Sequence, residues 1–373
     1  MSIRAGAAAA PHAERNRGRT VAVIGAGSWG TTFARVLADA GCDVTIWARR
    51  PEVAHEIQVA RRNSQYLPGV NLPKTLSATD DLATALRGAR LVFLAVPSQT
   101  LRQNLIDLEP FLDRRSVLVS LVKGVEKTTT MRMSEVIADT LDLEPDRIAV
   151  VSGPNIALEI AKEQPTGAVA SCADLGVAQE VAMAANAPYF RTYVNTDVIG
   201  TELGGVLKNL IALAIGIVDG VGYGENTKAA IITRGLAEMT EFSVASGADP
   251  ATLSGLAGLG DLIATCQSPL SRNNTAGRLI GQGYTQEETR EQMQQVAEGI
   301  TSVPPVLELA RERGVGMPIV EQVQMVLTGK MQPKHLGPHL ATEDEVPQAE
   351  LSLGAPPIGR LKRLFDRMKG TRA

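Results

Sequence analysis

The chain opens its patterned part with RTVAVIGAG (19–27), an apolar run rich in β-branched residues that stops at glycines. TTFARVLADA (31–40) then shows the three-to-four-residue spacing of an amphipathic helix, and DVTIWA (43–48) returns to a short β-branched run. Together they predict a βαβ unit of about thirty residues. LVFLAV (91–96), SVLVSLV (116–122), RIAVVSG (147–153), TGAVAS (166–171) and FRTYVN (190–195) continue the series, separated by helix-like or loop segments. Strands alternating with helices predict a mostly parallel, doubly wound sheet of the Rossmann type.

From Thr196 the period changes. Long helical stretches are broken by GVGYGEN, SGADP, GLAGLGD and GQGY, and strand-like runs disappear. The pattern therefore predicts an α/β domain over 19–195 and an all-helical domain over 196–330. Residues 1–18 read as a disordered tail, and 331–373 as a polar, proline-rich tail. Within that tail, Ile358, Leu361, Leu364, Phe365 and Met368 fall on one helical face with basic residues opposite, which predicts a short basic amphipathic helix over 357–369 suited to a weak membrane-surface contact.

Composition narrows the function classes. A net charge of −3 and a pI of about 5.9 provide no broad cationic field, so nucleic acid is excluded as the main partner. Cys42, Cys172 and Cys266 are far apart with no C-x-x-C spacing, which argues against a disulfide framework and against zinc and fits a reducing cytoplasm. No uncharged apolar run is long enough to span a bilayer, and no segment reads as a secretory signal.

GAGSWG (25–30) is a G-x-G-x-x-G placed after a strand and opening a helix, the context in which this motif binds a dinucleotide. Gly25 permits the turn, Gly27 lets the backbone approach a pyrophosphate, and Gly30 lets helix and strand pack closely. At the end of the second strand, where NAD-preferring sites carry an acidic residue, the chain reads Ala48-Arg49-Arg50. Two arginines suit a 2′-phosphate, and arginine also stacks on adenine, so NADPH is favoured while NADH stays open. A flavin is the other occupant of such folds; the short second domain favours nicotinamide.

Lys208 is the only charged residue in LGGVLKNLIALAIGIV (203–218). Burial lowers the pKa of an amine toward neutrality, where it can exchange a proton with a reacting carbonyl. The four histidines, His12, His55, His335 and His339, all lie outside 56–334, and no metal-ligand spacing occurs in the second domain. The proton donor is then a lysine or a carboxylic acid, with Lys208 the leading candidate. Lys123 follows SVLVSLV at the carboxyl edge of the sheet, where it can meet substrate or nicotinamide. GLAGLGDLIATC and SPLSRNN (255–274) place Asp261, Ser271, Arg272 and Asn273 around two small-residue turns. Arg272 can hold a phosphate bidentately with Ser271 and Asn273 adding hydrogen bonds, and Asp261 can orient Lys208 or a substrate hydroxyl.

Taken together, GAGSWGTTFA, ARRPE, YLPG, AVPS, LVKGVE, SGPNIALEIA, ELGGVLKNLIALAIGIVDGVGYGENTKAAIITRGLAEM, GLAGLGDLIATC, SRN and VAEGITS resemble, in this order, the motifs of the bacterial NAD(P)-dependent glycerol-3-phosphate dehydrogenase family over about residues 20–330. The resemblance implies reversible reduction of dihydroxyacetone phosphate to sn-glycerol 3-phosphate, which supplies glycerophospholipid synthesis, and a cytoplasmic homodimer. It implies Lys208 as the proton donor during reduction, with Asn209 beside it. Lys123, Gly153, Lys208, Asp261, Ser271, Arg272 and Asn273 match substrate contacts. Ser28, Trp29, Arg49, Arg50, Tyr66, Lys123, Ala157, Arg272, Val296 and Glu298 match cofactor contacts. The chain departs from the family in SGPNIA, where Asn155 and Ile156 replace a small hydroxyl residue and an aromatic or histidine, and Asn155 is left out of the expected site. Two other readings share these features: a β-hydroxyacid dehydrogenase, whose substrates are carboxylates, and a dinucleotide sensor that binds NADPH without turning it over.

Overall fold

The computed structural model describes residues 16–293 and 297–336. Val296 and the amphipathic helix expected over 357–369 lie outside the described residues. Eight strands form one sheet in the order β3-β2-β1-β4-β5-β6-β7-β8. They are β1 (Thr20–Ile24), β2 (Asp43–Trp47), β3 (Leu76–Thr79), β4 (Leu91–Leu94), β5 (Val117–Ser120), β6 (Ile148–Ser152), β7 (Thr166–Cys172) and β8 (Phe190–Asn195). All neighbouring pairs are parallel except β6 and β7. The doubly wound class holds, and the sheet gains one strand that the pattern did not reveal: LSAT (76–79) is short, half polar, and pairs at the edge with β2.

Helices α1 (Ser28–Asp39), α2 (Leu101–Leu108), α3 (Met133–Leu141), α4 (Ala157–Ala161) and α5 (Leu175–Ala184) flank the sheet. Strands β1, β4 and β5 are buried on both faces, so their sequences run apolar without alternation. Phe33 of α1 anchors one side, with ring centroids 5.2 Å from Phe93 and 5.9 Å from Phe190. The order reverses between β1 and β4, which opens a crevice at the carboxyl ends of the strands.

The longer helices that follow the sheet include α6 (Val198–Val221), α7 (Glu225–Ala245), α8 (Asp261–Gln267), α9 (Arg272–Gly281), α10 (Glu298–Glu312) and α11 (Pro318–Leu327). Asp197 starts α6 by accepting the Gly200 N–H at 2.8 Å, and Gly222, with φ +100°, ends it in the left-handed region. The helix is long and apolar enough to cross a membrane, yet it is buried inside the protein along nearly its whole length. The neighbouring helices and strands β6 and β7 pack around it, which explains a sequence that is apolar all round. A Cβ on Gly216 would fall 2.2 Å from the Asn274 carbonyl oxygen, so α6 and α9 meet backbone to backbone. Packing continues past Lys330: Leu336 is buried, and the Tyr223 hydroxyl donates to the Lys334 carbonyl at 2.8 Å. At the other end Asn16 is buried and its amide donates to the carbonyls of Ala40 and Met183.

Candidate active site

A cleft of about 910 Å³ runs from the first βα turn, across the carboxyl edge of the sheet, to the middle of α6 and the N-terminal turns of α8 and α9. Its nucleotide end is built by the glycine motif. Gly25 has φ +112° and a Cβ there would lie 2.6 Å from the Ala95 carbonyl oxygen. At Gly30 a Cβ would sit 2.0 Å from the Gly25 carbonyl oxygen, whereas at Gly27 it would meet nothing within 4 Å. Two glycines thus close the turn and the third leaves room beside it. No side chain caps the N-terminus of α1 and no acidic residue lies in its first turn, so this end suits a pyrophosphate. Ser28, Trp29 and Ala157, the first residue of α4, line the same stretch.

Arg49 and Arg50 follow β2 and line the cleft. The Arg50 guanidinium lies 5.5 Å from the Tyr66 ring centroid and donates to Gln65 and, at 3.3 Å, to the Tyr66 hydroxyl. Arg49 has no carboxylate partner among the described residues. The carbonyl of Tyr66 in turn accepts from the Ser28 hydroxyl, which ties YLPG to the glycine turn. These residues fit the adenosine end of a dinucleotide, where arginines suit a 2′-phosphate.

At the opposite end three charged groups meet. Lys208, on α6, is buried; its ammonium donates to Asp261 Oδ1 at 2.9 Å and to Thr265 Oγ1 at 2.7 Å. Lys123 donates to Asp261 Oδ2 at 2.6 Å and to the Gly153 carbonyl at 3.1 Å. Each ammonium has three N–H groups, so each keeps one for a substrate. Burial pulls the pKa of Lys208 down to about 8, Asp261 opposes this, and the neighbouring Lys123 adds to it. Asp261 and Thr265 are one turn apart on α8, so the two small-residue turns expected over 255–274 are in fact a π-helical turn (Leu256–Gly260) running into α8, then the start of α9.

The phosphate candidates divide. Arg272 lines the cleft at the start of α9; burial lowers its pKa and the Glu298 carboxylate opposes that. Ser271 also lines the cleft, but its hydroxyl accepts the Asn274 N–H at 3.3 Å and caps α9. The Asn273 amide donates to Asn209 Oδ1 at 2.8 Å and accepts the Gly299 N–H at 2.9 Å, so it joins α6, α9 and α10. Gly153 does not line the cleft and acts through its carbonyl on Lys123. Glu298, first in α10, accepts from the Ser98 hydroxyl at 2.8 Å and bridges the sheet edge to the helices.

Sequence reasoning missed Thr265 and set aside Asn155. The i,i+4 spacing of Asp261 and Thr265 would have placed the hydroxyl on the same face. Asn155 lines the cleft with both amide atoms buried and without a hydrogen-bond partner. A buried, unsatisfied amide is costly, and at a cleft it marks a place for a ligand's polar group.

A dinucleotide crevice in a doubly wound sheet, closed by helices that aim a buried lysine into it, defines an NAD(P)-dependent carbonyl oxidoreductase. Residues 20–178 match the NAD-dependent glycerol-3-phosphate dehydrogenase N-terminus and 197–337 its C-terminus, and the chain belongs to this family. A relative named glycerol-3-phosphate dehydrogenase [NAD(P)+] from Leifsonia xyli is 62% identical over 359 residues, covering 93% of the chain and 97% of the relative. One of the same name from Corynebacterium diphtheriae is 56% identical over 304 residues, covering 81% and 92%. The crystal structure of glycerol-3-phosphate dehydrogenase from Coxiella burnetii superposes with a TM-score of 0.82 at 35% identity, covering 87% of this chain and 99% of that one. A ketopantoate reductase from Ralstonia eutropha shares the fold alone, at 17% identity and a TM-score of 0.55.

Proposed function

We propose that the chain reduces dihydroxyacetone phosphate to sn-glycerol 3-phosphate, reversibly, with NADPH as the favoured donor and NADH as a second one, and so supplies the backbone of glycerophospholipids. When bound, the reduced nicotinamide supplies hydride to the ketone carbon. Lys208 donates its free N–H to the ketone oxygen and passes the proton to the alkoxide as it forms. Lys123 places a second positive charge near that oxygen, and Asp261 fixes both ammonium groups while neutralising one of them. Arg272 holds the substrate phosphate, and that remote binding orients the ketone against Lys208. Asn155 takes a substrate hydroxyl or the cofactor carboxamide. Ser271 and Asn273 shape the phosphate end through α9, and Gly153 fixes Lys123.

The observation that carries this reading is a single buried carboxylate holding two lysines at the end of a dinucleotide cleft. A β-hydroxyacid dehydrogenase would accept a carboxylate substrate and a sensor would turn nothing over. Absorbance at the reduced-nicotinamide band, followed with dihydroxyacetone phosphate and each cofactor, separates all three. Oxidation of NADPH that requires the phosphate ester is expected; activity with a β-keto acid instead, or none, overturns the assignment. On the family resemblance the active unit is a homodimer in the cytoplasm, which sedimentation of the purified chain tests. The basic residues of 357–369 add a weak contact with anionic membrane surfaces, tested by liposome sedimentation with and without 356–373.

A further inference from the structure

Glu202 is the second charged residue of α6 to be buried, and nothing in the reaction uses it. Its carboxylate side chain is wholly enclosed and reaches across to the sheet part of the chain. Oε1 accepts the Ser134 N–H at 2.8 Å, and Oε2 accepts from the Ser134 hydroxyl at 2.6 Å and from Arg132 Nη1 at 2.7 Å. The acceptor thus sits on the N-terminus of α3, which favours an anion. Arg132 is held from its other side by Glu135, at 2.7 Å.

This cluster is linked to the lysines on both sides. Arg132 forms a β-bridge with Val125, two residues beyond Lys123 in the same loop. On α6, Glu202, Gly205 and Lys208 follow at three-residue steps, so each neighbours the next on the helix surface. Between the ends, Gly205 lets the helix pass: a Cβ there would stand 2.6 Å from Ser152 Oγ and 3.4 Å from two carbons of the Lys123 side chain. The loop bearing Lys123 and the helix bearing Lys208 therefore share one anchor besides Asp261.

We propose that Glu202, through Arg132 and Ser134, is a positioning residue for the reaction: it sets the register between Lys123 and Lys208 so that one carboxylate, Asp261, can hold both. A rigid helix and a short loop transmit the anchor, and a displacement of about 1 Å at Lys208 is enough to cost up to 100-fold in the chemical step.

The inference rests on Lys208 as the proton donor, and the test separates the two. The purified full chain is compared with Glu202→Gln, with the double variant Arg132→Met/Glu202→Met, and with Lys208→Ala. The double variant keeps the proposal testable if the single one fails to fold, because it removes both charges and leaves neither unpaired in the interior. Turnover with dihydroxyacetone phosphate should fall about tenfold or more in the folded variants, with KM for NADPH within about twofold. The alkaline limb of kcat/KM should also move to higher pH, since Lys123 no longer stands by Lys208 while Asp261, Thr265 and Cys266 on α8 still do. Loss of the Glu202 charge alone would move that limb the other way. Unchanged kcat in the folded variants, or a limb that stays or moves to lower pH, overturns the positioning role; near-normal turnover in Lys208→Ala overturns the donor assignment instead.

Discussion

Lys208 Nζ stands 2.9 Å from Asp261 Oδ1, a contact between two buried residues fifty-three positions apart. Unlike a surface pair, it is shielded from solvent, and it competes with a desolvation cost that favours the neutral amine. The ammonium is held by its partner and destabilised by its surroundings, which is the condition for giving up a proton near neutral pH.

Lys208→Ala should therefore lower kcat for ketone reduction by about 10²–10⁴-fold, the usual contribution of a positioned acid. Because the nucleotide end of the cleft is built from other elements, KM for NADPH should stay within about twofold. Steady-state rates with saturating dihydroxyacetone phosphate, and NADPH binding by fluorescence, check both halves.

The pH dependence follows from the direction of the Lys208 shift, which places its pKa at about 8. Reduction needs the ammonium, so kcat/KM for dihydroxyacetone phosphate should be level below that value and fall above it. Oxidation of glycerol 3-phosphate needs the free amine and should rise through the same range. Asp261 raises the Lys208 pKa, so Asp261→Asn should move both limbs to lower pH. Limbs that do not move would show that another group titrates.

Arg49→Ala/Arg50→Ala should raise KM for NADPH about tenfold or more over any change for NADH, as expected from losing charge-assisted bonds to the 2′-phosphate. Loss of the Arg50–Tyr66 stacking should weaken both cofactors together, so the single Arg50→Ala variant separates stacking from phosphate binding. Equal effects in the double variant would refute the 2′-phosphate role.

Much of this was legible in the chain because period and punctuation are local. The strand-glycine-helix turn at 20–39 carries its own geometry, and the absence of charge around Lys208 announced its burial. Pairings between distant segments were not legible. That Asp261 would reach both lysines depends on α8 packing beside α6, and the use of the Asn273 amide depends on α10 arriving against it. Asn155 was set aside for departing from a family pattern, whereas its buried, unpartnered amide is visible only in three dimensions. β3 was missed because an edge strand of four residues, half of them polar, has no period to display.

Asn155→Ala should raise KM for dihydroxyacetone phosphate or for cofactor, and the ligand whose KM moves identifies its partner. Removing a hydrogen bond to a neutral group costs about 0.5–1.5 kcal/mol, so a change of roughly two- to tenfold is expected. With no protein partner to lose, the variant should keep or slightly raise its thermal stability. A fall in Tm with unchanged kinetics would make the residue structural.

Glu238 provides a prediction of stability remote from the chemistry. It is buried on α7, and Oε1 accepts the Ile319 N–H at 2.9 Å at the start of α11, while Oε2 is buried without a partner. Burial raises its pKa to about 7, against the lowering effect of the backbone N–H groups of Ile319 and Val320. The folded chain thus binds this proton more tightly than the unfolded one. The neutral form's advantage is complete below the unfolded value, and stability is lost as pH climbs from there through about 7. Above that range the buried charge costs roughly 3 kcal/mol at most, from 1.36 kcal/mol per pKa unit. Glu238→Gln keeps an acceptor for the Ile319 N–H and removes the charge. Its Tm should exceed that of the parent by several degrees at pH 8.5 and by little at pH 5. Equal gains at the two pH values would mean that side-chain packing, and not ionisation, separates the variants.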